Sequence, residues 1–569
     1  MRPLDWIVLA ATLLSIALYG MWKGRGNRNL SGFLLANRSM KWYTVGLSIM
    51  ATQASAITFT STPGQAYVDG MRFVQFYFGL PLAMIILSIT VVPIYHRLGV
   101  YTAYEYIEKR FDAKTRVLTT IIFLVSRGLA AGITIYAPSL LLSVILRLDI
   151  RMTSLIIGGI VILYSTFGGV KAVNDTHVFQ LFIVMAGMCA ACIVAVTLLP
   201  KNVSLTDALS VSAITGKLRT IDLSFDFKNR YTLWSGLVGG MFLALAYFGT
   251  DQSQVQRYLT GQSITQSRLG LLLNGLAKVP MQFFILFIGV VIFAFFQFVE
   301  PPLFFNPIEA EKAGSGADAA YYRQLEETHS RLFREKLDGI HNYLDARRQG
   351  DAIHIEEKKD QVRKLQQQFD AVQANAAGLA AKDIPSSGHN DVNYIFLTFV
   401  LSYLPLGLVG LVFACVFTAS MSSSSGELSA LAATSVIDIY KRFVRPNGSE
   451  QHYVRVSRLM MAFWGCYGIA FAQYASKLGS LIEAVNILGS LFYGTMLGIF
   501  LLAFYFRSVN GTSAFYGGLI GEITVLSCFE WTSIAWLWYN VIGCIVVITT
   551  GLTLTRIMKH TSLKNQVSA

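Results

Sequence analysis

The residues best suited to chemistry lie inside apolar stretches. The run Thr418–Ala419–Ser420–Met421–Ser422–Ser423–Ser424–Ser425–Gly426–Glu427 concentrates hydroxyls in one segment. Serine hydroxyls are hard oxygen donors that suit a small hard cation. Successive serines on a helix cannot all face one way, yet neighbours at i and i+1 can flank a single groove. With carbonyls from an interrupted helix alongside, they would form a small oxygen cage. The same serines also suit a close helix–helix seam. A second stretch, from Gly46 through Met50, Ala51, Thr52, Gln53, Ala54 and Ser55 to Thr58, is uncharged and rich in small and hydroxyl residues, with Pro63 and Gly64 soon after. It reads either as another seam or as an unwound stretch whose carbonyls face a site. A third, Ala246–Tyr247–Phe248–Gly249–Thr250–Asp251–Gln252, offers a break at Gly249 and an acid able to pair with Arg257. Arg127 stands in the apolar run Val117–Ala131. A charge there is costly and usually faces a bundle interior or a cavity. Its guanidinium can grip a carboxylate through two parallel hydrogen bonds, or it can snorkel or pair internally. Gln53, Ser55, Thr58, Gln75 and Tyr77 are expected to line a polar cavity, with Lys278 and Gln282 as lesser candidates.

Such residues must be held by helices that span a bilayer. Of the 569 residues, 54% are hydrophobic and 14% charged, and mean hydropathy is +0.51. A soluble protein carries about 25% charged residues. A soluble enzyme, a disordered chain and a secreted disulfide scaffold are excluded. A spanning helix needs about 20 mostly apolar residues. Thirteen segments qualify, at approximately 4–22, 42–62, 73–97, 117–146, 153–173, 176–199, 233–257, 269–298, 392–437, 455–475, 481–506, 511–528 and 534–557. The expected class is an all-α polytopic membrane protein. The ninth segment is too long for one crossing, so a short surface helix before Pro405 is expected to precede the true span.

Basic residues cluster in alternate loops: Lys23, Arg25, Arg28, Arg38 and Lys41, then Arg97, Lys109, Arg110, Lys114 and Arg116, and later Lys441, Arg442 and Arg445. With thirteen crossings these loops share one face, which the positive-inside rule makes the cytoplasm. The N-terminus is expected outside and the C-terminus inside, in a plasma or inner membrane. Net charge is +13, from 46 Lys and Arg against 33 Asp and Glu. The loops account for it, and no basic face suggests nucleic acid. Segment 4–22 carries Asp5 in a short leader and is followed by Lys and Arg rather than a small-residue cleavage site, so it is expected to be retained. Cys189 and Cys192 lie in an apolar run without His and read as buried helix cysteines.

Residues 301–390 depart from this pattern. Leu325, Leu332, Leu337, Ile340 and Leu344 recur at helical spacing, as do Ile355, Val362, Leu365 and Phe369, with Gly350 between the two sets. A helical hairpin outside the membrane, on the external side, is expected. It reads as a solvated insertion or as a docking site for a protein partner.

Four stretches, in order, resemble the sodium:solute symporter family: Ala54–Ser55–Ala56–Ile57–Thr58–Phe59 with Pro63–Gly64 and Ala66–Tyr67; Gly168–Gly169–Val170–Lys171–Ala172–Val173 with Gln180; Thr250–Asp251–Gln252 with Val255–Gln256–Arg257–Tyr258; and Met421–Ser422–Ser423 ahead of Asp438–Ile439–Tyr440. The resemblance covers nearly the whole chain except 301–390. It implies a LeuT-type fold of five plus five helices in inverted repeats with broken helices. On that basis 1–300 holds a leading helix, the first repeat (about 42–199) and the start of the second; 301–390 is the insertion; 391–569 completes the second repeat and adds two helices. The resemblance implies a sodium ion held by the backbone carbonyls of Ala51, Ala54 and Ala419 and the hydroxyls of Ser422 and Ser423. A second cation site of the family would use Ser425. Its usual Asp is His177 here, Gly426 stands where a further hydroxyl is expected, and Asp175 lies about 200° round the helix from His177. A neutral imidazole is a poor sodium ligand, so the resemblance leaves this second site incomplete. Tyr247 matches a residue the family places beneath the substrate as an inner gate.

The expected function is therefore sodium-coupled import of a small solute by alternating access, with Na+ as the only cofactor and the bilayer and the solute as partners. Positions that are polar in sugar-carrying members read Ile57, Thr58 and Ala277, and Ile133–Pro138 with Gly168–Val173 resemble the branch that carries monocarboxylates, anionic vitamins and inorganic anions. Arg127 is an independent reason to expect an organic anion. The alternatives are a neutral solute such as a sugar, polyol or amino acid, or a proton-coupled or sensor derivative of the same fold. No GxxxxGK[ST] loop is present and Glu427, Glu483 and Glu522 are scattered, so neither ATP-driven transport nor an enzyme is expected.

Overall fold

The computed structural model describes residues 2–24, 38–53, 55–316, 318–350, 352–381 and 391–567, with the side chains of 16–24, 167–180, 352–353, 379–381, 415, 476–477 and 561–567 excepted. Ala54, and the side chains of Asp175 and His177, lie outside the described residues.

The chain folds into helices, which is what a lipid environment demands, since a helix satisfies its backbone internally. The leading helix α1 (Pro3–Gly24) is followed by α2 (Trp42–Gln53) and α3 (Ala56–Asp69), then by a 3₁₀ segment, Gly70–Tyr77. Next come α4 (Leu80–Ile89), α5 (Val91–Leu98), the short polar α6 (Ala103–Arg110) and the long α7 (Ala113–Leu146). After α8 (Ile150–Thr197) and α9 (Leu205–Ile214), a π-helical turn at Ser235–Gly239 leads into α10 (Gly240–Gly249), α11 (Gln252–Tyr258) and α12 (Ile264–Phe295). The polar insertion forms α13 (Pro307–Ser315), α14 (Ala319–Gln349) and α15 (Ala352–Ala381). The chain ends with α16 (Val392–Tyr403), α17 (Leu408–Thr434), α18 (Glu450–Ala472), α19 (Leu481–Tyr505), α20 (Gly511–Trp531) and α21 (Leu537–Val567). Seven helices are long and apolar enough to cross a membrane among the described residues.

Two interruptions matter for function. The second expected span is split between α2 and α3, and the seventh between α10 and α11 at Thr250–Asp251. Both sit at small-residue stretches that weaken a continuous helix. Asp251 then caps α11, accepting from the Ser253 amide at 2.8 Å and the Ser253 hydroxyl at 2.6 Å.

Two expectations about the helices do not hold. The segments 153–173 and 176–199 form one helix, α8, of 48 residues. No proline lies between Ile150 and Thr197 to stop it. Its two halves lie beside the same part of α17, with Ile160 in a pocket with Phe417 and Gly187 against Val412, so the two expected spans are joined but run side by side. The helix before Pro405 is not a surface helix: Phe396, Leu397, Phe399 and Val400 of α16 are fully buried, and α16 packs on α3.

The hairpin at 301–390 forms as expected, with Gly350 at φ +74° closing α14 onto α15. Ile340, Leu344 and Val362 pack with Val203, Ala208 and Val211, so the turn end of the hairpin rests on α9 and the end of α12. Its interior holds Lys336, fully buried, with Nζ 3.2 Å from Gln366 Oε1 and 4.0 Å from the Phe369 ring centre. Gln366 in turn donates to Asp370 at 2.7 Å. Burial pushes the Lys336 amine down from 10.5 to about 7. Between those values the unfolded chain holds a proton that the folded hairpin lacks, so hairpin stability rises as pH climbs from about 7 towards 10. The gain is on the order of 3 kcal/mol. Hydrogen exchange of α14 and α15 across that range should show growing protection, and Lys336→Met should flatten the dependence. Protection that falls with pH, or is unaltered by Lys336→Met, would contradict this.

Candidate functional site

A cavity of about 130 Å³ opens where both helix interruptions meet α7, α12, α17 and α19. Of the residues expected to line it, Gln53, Ser55, Thr58, Tyr77, Arg127 and Tyr247 do so. Gln75 does not. Its amide donates to the Tyr231 carbonyl at 3.0 Å and accepts from the Asp222 amide at 2.9 Å, pinning the loop between α9 and α10. Thr58 donates to the Gln53 carbonyl at 2.6 Å, and Gln53 donates to Asn274 at 3.3 Å, so both stiffen the interruption as well as facing the cavity.

Arg127 is 3% exposed and lines the cavity, yet its charge is already matched. Nε lies 3.1 Å from Asp251 Oδ2, with Nη2 closer still to the same oxygen. Nη1 lies 3.1 Å from Glu427 Oε1, and Nη2 donates to the Tyr493 hydroxyl at 2.5 Å. That hydroxyl donates to Asp251 at 2.9 Å. The sequence paired Asp251 with Arg257. In the fold Asp251 serves Arg127, Tyr493 and the cap of α11 instead, because the interruption turns its carboxylate into the bundle. One guanidinium thus faces two carboxylates, and Glu427 Oε2 is buried without a hydrogen bond. Tyr247 sits under this cluster: the Arg127 guanidinium is 5.4 Å from its ring centre and the Tyr493 ring 5.8 Å away, while its hydroxyl accepts from Gln254 at 2.8 Å.

Lys278, ranked low from the sequence, is the cation left over. It is 2% exposed and lines the same cavity. Among the described residues no carboxylate reaches it, and its Nζ contact is the Tyr77 ring, with the centre 6.0 Å away. Gln282, one turn on, donates to the Tyr77 hydroxyl at 2.7 Å, and its own Oε1 is unpartnered. The signal for Lys278 was the same as for Arg127, a charge in an apolar run. What separates the two is the carboxylates around each.

The hydroxyl segment lies on α17, which packs on α2 and α3. Because α2 stops at Gln53, the carbonyls of its last turn lose their helical donors. The Ala56 amide, for instance, turns to Ser420 Oγ at 3.1 Å and so joins the interruption to α17. Ala51 and Ala419 are each 5% exposed, and Ser422 and Ser423 each 1%. Ser423 donates to the Ser420 carbonyl at 3.1 Å, leaving its lone pairs available. Ser422 Oγ is buried with no hydrogen-bond partner at all. An orphaned hydroxyl on the helix that packs against the interruption is a hard oxygen donor of the kind a dehydrated sodium ion takes, so the donor types present fit the ion. Ser425 is also buried. A Cβ at the next position, Gly426, would meet the guanidinium of buried Arg257, which would have to shift. A cation, not another oxygen donor, borders that position.

The sequence profile of the sodium:solute symporter family matches residues 33–327 and 371–521, and the unmatched interval falls in the hairpin. Sodium-coupled monocarboxylate transporter 1 of Xenopus laevis is 28% identical over 520 residues, spanning 91% of this chain and 70% of its own length. The sodium-dependent multivitamin transporter of Oryctolagus cuniculus is 27% identical over 526 residues, 91% of this chain and 69% of its own. In fold the chain is similar to a sodium-coupled sialic acid symporter solved in a substrate-bound outward-open state, with 21% identity, a TM-score of 0.74 and 98% of each chain covered. With two interrupted helices facing a hydroxyl-lined α17 and a family profile across most of its length, this chain belongs to the sodium:solute symporter family and is a sodium-coupled membrane transporter of a small solute.

Proposed function

We propose that the solute is a small organic anion and that Lys278 recognises its carboxylate. The observation that carries this reading is the contrast between two buried cations on one cavity: Arg127 is balanced by Asp251 and Glu427, and Lys278 faces no acid. The apolar walls, among them Ile57, Leu80 and Leu243, suit a short aliphatic or ring-bearing body. The names of the monocarboxylate and multivitamin relatives point the same way.

In this reading the carbonyls of Ala51, Ala54 and Ala419 and the hydroxyls of Ser422 and Ser423 hold sodium. The ion joins α2 to α17 and shapes the cavity that α7, α12 and α19 complete. Tyr247 closes the cavity on the cytoplasmic side. The N-terminus lies outside and the C-terminus inside a plasma or inner membrane, following the Lys and Arg of the loops, and the hairpin at 301–390 is an external unit between segments 1–300 and 391–569. Coupling requires each ligand to prefer the same state, and the preference is reciprocal. One sodium crossing about 100 mV gains roughly 2.3 kcal/mol. Carried with one monovalent anion the cycle moves no net charge, so the sodium concentration gradient alone drives it.

A panel of carboxylates, sugars and amino acids tests the reading by thermal stabilisation of the purified protein in sodium, with potassium and choline as controls. A short monocarboxylate should raise the midpoint further in sodium only. Lys278→Met should lose that second rise, with at least about tenfold weaker solute binding, and keep the first. A sugar that stabilises while every carboxylate fails would overturn the proposal. A second reading has one observation behind it: the unpartnered Glu427 Oε2 on the same cavity suits an ammonium group, so a selective response to a zwitterionic amino acid would favour that class instead.

A further inference from the structure

We propose that Asp5, on the leading helix, is a positioning residue for the sodium site. The inference rests on the sodium reading of α17 above. Asp5 is 3% exposed, an unusual place for a carboxylate in an apolar helix. Its Oδ1 accepts from the Gly407 amide at 2.7 Å and from the Gly410 amide, three residues on, at 3.4 Å. Its Oδ2 accepts from the Arg2 amide at 3.1 Å. The first two are the open amides at the start of α17, where the helix dipole favours a negative charge.

The fit is backbone to backbone. Gly407 adopts φ +82°, a conformation that only glycine takes without strain. A Cβ at Gly410 would overlap the Asp5 carbonyl. The carboxylate therefore holds one end of α17 at a fixed height against α1. From Gly410 to Ser422 is twelve residues, about 18 Å of helix. No glycine or proline interrupts residues 411–425, so an axial shift at the start arrives undamped at Ala419, Ser422 and Ser423. The other half of the cage, Ala51, belongs to α2. Loosening α17 at Asp5 changes the spacing between the two halves without touching a ligand.

The test is equilibrium binding of radiolabelled sodium to the purified protein at a temperature where every variant is folded, with the thermal midpoint in choline measured alongside. Asp5→Ala removes both the charge and the acceptor and should weaken sodium binding about tenfold. Asp5→Asn keeps an oxygen for the two amides and should weaken it about threefold. A residue that merely stabilised the fold would lower the midpoint in choline and leave the sodium affinity of the folded protein unchanged. That result in both variants overturns the proposal, as does wild-type affinity in Asp5→Asn should Asp5→Ala fail to fold. Wild-type protein that binds no sodium would overturn the sodium site itself and this inference with it, and is distinguished by needing no variant.

Discussion

Arg127→Met should lower folding stability by about 3–5 kcal/mol, because it strands two buried carboxylates that would then repel each other. Arg127 joins α7 to Asp251 at the α10–α11 interruption, to Glu427 on α17 and to Tyr493 on α19. Asp251 is fully buried and Glu427 nearly so, so water cannot screen what the substitution exposes. The loss should appear as a lower thermal midpoint in detergent and a smaller folded yield. Arg127→Met/Asp251→Asn should recover part of it: the amide removes one charge and keeps an oxygen for the α11 cap, where Asp251 now accepts from Ser253. An unchanged midpoint in the single variant would show that the cluster is not load-sharing. A single variant that falls with no recovery in the double would place the cost in packing rather than charge.

Ser422→Ala/Ser423→Ala should abolish sodium-specific stabilisation and weaken sodium binding more than about a hundredfold. Each oxygen on a charged partner is worth about 1.5–3 kcal/mol, and every 1.4 kcal/mol is tenfold. The baseline should hardly move. Ser422 Oγ makes no hydrogen bond in the protein, Ser423 makes one to its own helix, and alanine is the better helix former. This contrast separates a binding role from a seam. A seam would lose stability equally in sodium and in potassium, whereas an ion site loses only the sodium-dependent part, which at a hundred times the dissociation constant is about 2.7 kcal/mol. A sodium-specific rise that survives the double substitution would remove these serines from the site.

Much of the framework was readable from residues near one another in sequence. The hydropathy of the long runs demanded helices, the small-residue stretch at 46–58 marked where one would break, and Gly350 between two amphipathic patterns marked the hairpin turn. The clustering of hydroxyls at Thr418–Ser425 was equally plain. Each of these is a property of composition or spacing within a few turns, and bilayer and backbone physics act on it directly.

What the chain could not show locally was which charges would meet. Arg127 and Asp251 are 124 residues apart, and Arg127 and Glu427 are 300 apart. The sequence left Arg127 open between an anion clamp and an internal ion pair, with Lys278 as a lesser candidate, and packing put Arg127 in the pair. Only the close approach of α7, α11 and α17 decides which buried cation has acids within reach. The same holds for Gln75, drawn away by the loop that carries Asp222 and Tyr231, and for α16, whose apolar faces meet α3 rather than a membrane surface. The sequence by itself determined that this is a membrane-spanning helical protein with hydroxyl-rich stretches inside its apolar runs, because solvent and backbone preferences are local. The tertiary structure decided which charge is neutralised and which faces the cavity, because a buried ion's behaviour depends on partners that the chain brings from hundreds of residues away.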